Sequence, residues 1–91
     1  MGRRKLTDEE IISTIFDKMA RKRKWNASHI PMDTIVRWIS NKIKRNGNRV
    51  KKILTNLIKE GFIFSKPAHY GTEISLNSKE SEKILELTEE L

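Results

Sequence analysis

The stretch from Asn46 to Phe64, NGNRVKKILTNLIKEGFIF, constrains this chain more than any other. At roughly 100° per residue, Val50, Ile53, Leu54, Leu57 and Ile58 fall on one face of a helix. Asn48, Lys52, Thr55, Asn56 and Lys59 fall on the opposite face, with Arg49 and Lys51 on the flanks. Gly61 stands just past the last helical residue, where a left-handed C-cap favours glycine. Phe62 follows at the position that packs back on Leu57 in a Schellman ending. The apolar face must be covered by the rest of the chain. The other face carries amides, a hydroxyl and ammonium groups, with no acid between Asn46 and Lys59, and these side chains can reach a nucleic acid.

The residues before this helix explain how it is mounted. Asn46-Gly47 is a strong turn signal, and Asn48 suits an N-cap. Upstream, a helix is expected from near Pro31–Asp33 to about Lys44, with Pro at its start and an acid in its first turn. Met32, Ile35, Val36, Ile39 and Ile43 form its apolar stripe, and Trp38 lies at the stripe's edge as a rim packer. Helix, tight turn and helix in succession make a helix-turn-helix.

A further helix begins near Thr7. Thr7 and Glu10 have capping-box spacing, and Leu6 and Ile11 have staple spacing. Asp8, Glu9 and Glu10 suit the positive end of the helix dipole. Ile11, Ile12, Ile15, Phe16 and Met19 make its stripe, and the helix ends or leaves the core near residue 24. The block Arg21, Lys22, Arg23, Lys24 is either a phosphate contact or a solvated helix end. Trp25–Pro31 is a connector, with Ile30 and Pro31 extended enough to add a short strand. His29 has no ligand partner at a metal spacing and reads as a structural or surface residue.

After Gly61 the period changes. Phe62-Ile63-Phe64-Ser65-Lys66 and Thr72–Leu76 read as strands flanking a turn over 67–71, a hairpin that must pack on the helices. Asn77 or Ser78 then caps a final helix, with Ile84, Leu87 and Leu91 along one side and Leu85 off it. Its exposed positions are mostly acidic, so it is expected to pack on the first helix or on a second subunit, away from any polyanion.

Charge agrees with this division. The 91 residues carry 19 Lys and Arg against 12 Asp and Glu, a net charge of +7. Residues 1–76 hold 17 basic and 7 acidic residues, and residues 77–91 hold 2 basic and 5 acidic residues. A basic body with an acidic tail points to a polyanionic partner on the body. There is no cysteine, so neither a disulfide nor a thiolate metal site is available. No apolar run approaches the roughly 20 residues of a membrane span, and no glycine-rich phosphate loop or catalytic constellation is present. The expectations are therefore no enzyme activity, no cofactor, no metal and no membrane. The expected location is cytoplasmic, and nucleoid-associated if the source is prokaryotic.

The order helix, extended segment, helix, turn, helix, hairpin, helix resembles the winged-helix family of prokaryotic-type transcriptional regulators. The residues that carry the likeness are VKKILTNLIKEGFIFSK and the following YGTEISL. The resemblance implies an α+β, winged helix-turn-helix fold with a three-helix core, a two- or three-stranded β-wing and an extra C-terminal helix. The implied division is a basic arm at 1–5, a DNA-binding domain at 6–77 and a tail helix at 78–91 that could serve dimerisation. It implies sequence-specific binding of double-stranded DNA by a homodimer, with a recognition helix at about 47–60 in the major groove and a wing at about 62–76 on the backbone or minor groove.

On that reading, Asn48, Arg49, Lys52, Thr55 and Asn56 meet base edges, where Asn suits adenine, Arg or Lys suits guanine, and Thr suits thymine. Lys51 and Lys59 are expected on phosphates. Lys66, His69 and Tyr70 are the wing contacts. Arg3, Arg4 and Lys5 of the arm, and Arg45 before the turn, are weaker contacts. Ile84, Leu87 and Leu91 are the expected dimerisation residues. Two alternatives stay open: an architectural or RNA-binding winged helix without sequence preference, and a winged-helix protein–protein module within a larger complex.

Overall fold

The computed structural model describes residues 7–43, 47–69 and 71–88, excluding the side chains of residues 41–43 and 47. The fold is α+β. Helix α1 spans Asp8–Arg21, strand β1 Ile30–Pro31, α2 Met32–Ile43 and α3 Gly47–Lys59. Strands β2 (Ile63–Ala68) and β3 (Gly71–Leu76) follow, then a 3-10 turn at Ser78–Glu80 and helix α4 at Ser81–Thr88. The three strands form an antiparallel sheet in the order β1-β3-β2.

The expected helix start is present at atomic detail. The Thr7 hydroxyl accepts the Glu10 N–H at 3.1 Å, and the Glu10 carboxylate accepts the Thr7 N–H at 2.9 Å. This reciprocal box satisfies two N–H groups the helix cannot satisfy itself. The other end of α1 differs from expectation. The helix stops at Arg21, because Arg23 turns into the left-handed region at φ 57°. Arg23 N–H then reaches the Ala20 carbonyl and Lys24 N–H the Met19 carbonyl, both at 3.0 Å, which is a Schellman ending with arginine in glycine's usual place.

Helix α3 also starts differently. Gly47 is already helical, so Asn48 lies in the first turn and not at the cap. Asn46, the residue before it, is outside the described residues, as are Leu6, Lys44 and Arg45. At its far end α3 closes as expected, with Gly61 at φ 86°, its N–H on the Ile58 carbonyl and the Phe62 N–H on the Leu57 carbonyl, each at 3.1 Å. The Phe62 ring meets Phe16 of α1 at 5.9 Å between centroids.

The hairpin turn is shorter than the sequence suggested. Pro67 pairs with Thr72 and Ala68 with Gly71, leaving only residues 69 and 70 between the strands. Proline fits there because β2 is the edge strand, where a missing outward N–H costs no ladder bond. Only Ile63 of β2 is buried, whereas Ile74, Ser75 and Leu76 of β3 are buried between their neighbours. The hairpin therefore roots on the core by β3 and projects its tip into solvent.

The core draws on every element: Ile11, Ile15, Phe16 and Met19 from α1, Ile35 and Ile39 from α2, Val50, Ile53, Leu54 and Leu57 from α3, Ile63, Ile74 and Leu76 from the sheet. Met32, Val36, Ile12 and Ile58 pack at its margin. Helix α4 packs on α1. Ile84 is fully buried in that contact, and the buried Ser13 hydroxyl donates to the Leu87 carbonyl at 2.7 Å. This is the packing on the first helix expected from the sequence. Ile84, expected at a dimer contact, is buried within the chain's own core. Leu87 is partly buried, and Leu91 lies outside the described residues. Leu85, off the stripe, is exposed.

Candidate nucleic-acid interface

Burying Val50, Ile53, Leu54 and Leu57 turns the opposite face of α3 outward. Asn48, Lys51, Lys52, Thr55, Asn56 and Lys59 are all exposed on it. The first turn of α3 holds no acid, so its own sequence leaves the positive end of the helix dipole uncompensated. Thr55 spends its hydroxyl hydrogen on the Lys51 carbonyl at 2.9 Å and keeps its oxygen as an acceptor. Among the described residues, no carboxylate forms an ion pair with Lys51, Lys52 or Lys59.

Arg49 departs from expectation. It is only about a third exposed (32%), and its guanidinium is turned toward α1. Nε and Nη2 both donate to the same Asp8 oxygen, at 3.1 and 2.6 Å. A free base-reading guanidinium is therefore not what α3 presents at this position. Nothing local in the sequence announces the pairing, since Asp8 stands 41 residues away and the α1 dipole already accounts for an acid there.

In the hairpin, Lys66 faces Glu73 across the strand pair, with Nζ 3.9 Å from the carboxylate and a side chain that stays 54% exposed. At that distance and exposure the pair is loose and water-screened. His69 is exposed in the turn. Tyr70, Arg3, Arg4, Lys5 and Arg45 all lie outside the described residues. The hairpin and α3 are joined directly by the Schellman corner. Asn77 braces that corner from the end of β3, its amide donating to the Gly61 carbonyl at 2.8 Å and its N–H to the Phe62 carbonyl at 3.0 Å.

A second brace was not legible in the sequence. Asn26, read as a turn former, is left-handed at φ 51°. Its amide donates to the Ser78 hydroxyl at 2.9 Å and its side-chain oxygen accepts the Ser78 N–H at 3.1 Å. Its backbone N–H reaches the Leu76 carbonyl, and the buried Ser75 hydroxyl donates to its carbonyl at 2.6 Å. The connector after α1 is thus stitched to the end of β3, and the sheet is held fixed beneath the helices.

At the far end of α1, Lys22 is exposed and Lys18 half-buried. Lys18 and Lys22 both place their ammonium nitrogen 5.4 Å from the Trp38 ring centroid of α2. Trp38 is at the rim of the core, as its place on the stripe's edge suggested. Arg21 is held by Asp17 at 2.9 Å, one turn earlier on the same helix. Among the described residues, no group of three metal-ligating side chains comes together, and no helix is long and apolar enough to cross a membrane. No protein-family model matches the sequence, and comparison with curated proteins and with solved structures gives no match.

Proposed function

We propose that this chain is a winged-helix protein that binds double-stranded DNA in a sequence-specific manner and regulates transcription as a homodimer. The observation that carries the proposal is the outer face of α3, which exposes Asn48, Lys51, Lys52, Thr55, Asn56 and Lys59 and contains no acid. A major groove admits one α-helix and offers donors and acceptors that these side chains complement. The element order and the β1-β3-β2 sheet are compatible with the winged-helix arrangement. In this reading α3 enters the major groove, and Lys52, Thr55 and Asn56, with Asn48 in the first turn, meet base edges. Lys51 and Lys59 hold phosphates and set register. The exposed hairpin tip, with Lys66 and His69, lies along the backbone or minor groove.

A module of this size makes few base contacts, and a symmetric pair of them reads two half-sites. The test is duplex binding by a combined Lys52→Ala, Thr55→Ala, Asn56→Ala variant. Loss of preference for a selected site supports the assignment. Unchanged affinity and unchanged salt dependence remove α3 from the interface. Binding by the unaltered chain that ignores sequence, or that prefers RNA, selects an architectural or RNA-binding role instead.

A further inference from the structure

Lys18, Lys22 and Trp38 form a cluster that the reading of α3 does not use. Lys18 in the last turn of α1 and Lys22 at its C-cap are four residues apart, a spacing at which like charges repel. They are nevertheless gathered on one indole ring of α2, each 5.4 Å from its centroid. The ring's negative face is what makes this convergence tolerable. Among the described residues neither ammonium forms an ion pair with a carboxylate, and Asp17, the nearest acid in sequence, pairs with Arg21. Lys22 is exposed, and Arg23 and Lys24 follow directly in the Schellman turn, with Arg37 exposed beside Trp38 in sequence.

Two ammonium charges are therefore drawn to one aromatic ring and, among the described residues, left without a carboxylate partner. That is a site for oxyanions spaced along a chain. Arg49, on α3, is anchored at Asp8, whereas Lys22 lies 14 positions further on, roughly 20 Å along α1 at 1.5 Å per residue. The cluster is accordingly separate from the Asp8–Arg49 corner at the start of α3.

We propose that Lys18 and Lys22, positioned by Trp38, form a second phosphate-backbone site, so that one chain holds nucleic acid at two places. This rests on the reading of α3 as a DNA-binding helix. The ammonium groups take the phosphates as point charges, and Trp38 acts as a positioning residue that keeps them together. The site carries no sequence preference, because nothing in it reads a base edge.

The test is the affinity of the full chain for a 30-base-pair duplex, measured across a range of sodium chloride concentrations. Three proteins are compared: the unaltered chain, Lys18→Gln/Lys22→Gln, and Lys18→Arg/Lys22→Arg. Each phosphate neutralised contributes about 0.9 to the slope of log affinity against log salt. The glutamine pair is expected to show a slope shallower by about 2, and the arginine pair to keep the original slope, since both charge and ring stacking are conserved. The indole N–H resonance of Trp38 is expected to shift on adding duplex to the unaltered chain. Equal slopes and affinities for the unaltered and glutamine proteins overturn the second site while leaving α3 in place. Failure of the unaltered chain to bind any duplex overturns the DNA-binding reading itself.

Discussion

Asp8 and Arg49 join the first turn of α1 to the first turn of α3 through two hydrogen bonds on a single carboxylate oxygen, at 3.1 and 2.6 Å. The pair takes up the arginine that would otherwise be the strongest base-edge donor on that helix. It also brings an acid to the edge of the face proposed for DNA. Because Asp8 is 66% exposed, the pair contributes little to stability. Asp8→Asn is expected to change unfolding free energy by less than about 1 kcal/mol. It should free Arg49 and steepen the salt slope of duplex binding by up to about 1. Urea titration and salt-dependent binding measure the two effects. A shallower slope would mean that Asp8 aims Arg49 at the DNA.

Arg23 holds a left-handed conformation that costs an ordinary L-residue roughly 1–2 kcal/mol. Glycine adopts it freely but loses more entropy on folding. Arg23→Gly is expected to raise stability by about 0.5–1 kcal/mol, and Arg23→Val to lower it, because a β-branched residue is least tolerant of positive φ. Thermal midpoints of the two variants check the order.

Asn26 combines a left-handed backbone with two side-chain hydrogen bonds to Ser78. Asn26→Ala loses both the bonds and the conformational preference, and is expected to cost about 2–3 kcal/mol. Asn26→Gly keeps the conformation and should cost about 1 kcal/mol less. Equal losses in urea unfolding would show that the backbone conformation at this position carries no strain.

Gly61 tests the corner between α3 and the hairpin. A Cβ built there meets nothing within 4 Å, so only the φ of 86° penalises a side chain. Gly61→Ala is expected to destabilise by roughly 1–2 kcal/mol. Gly61→Asn should be milder, since asparagine tolerates this region. Chemical denaturation of both variants separates conformational strain from crowding.

How far the sequence leads can be judged from these same residues. The apolar stripes of α1, α2 and α3, the Thr7–Glu10 box and the Gly61 stop were readable because each is a pattern within a few residues. The short strand at Ile30 was a weaker signal, made real by pairing with Ile74 and Glu73. The Asp8–Arg49 pair, the Asn26 stitch and the Trp38 cluster each join residues far apart in the chain. No local pattern encodes them, and in each case a local explanation already sufficed: a helix dipole, a turn, a rim aromatic. The ends of α1 and of the hairpin turn shifted for a related reason. An arginine accepted a glycine-like conformation, and an edge-strand proline joined the pairing.

The most direct measurement of the central claim is selection of bound sites from random duplex DNA. Enrichment of a palindromic motif with half-sites one helical turn apart, about 10 base pairs centre to centre, is expected. That enrichment is expected to be lost when Lys52, Thr55 and Asn56 are replaced by alanine. A chain that enriches no motif, or a variant that enriches the same one, would contradict α3 as the reader.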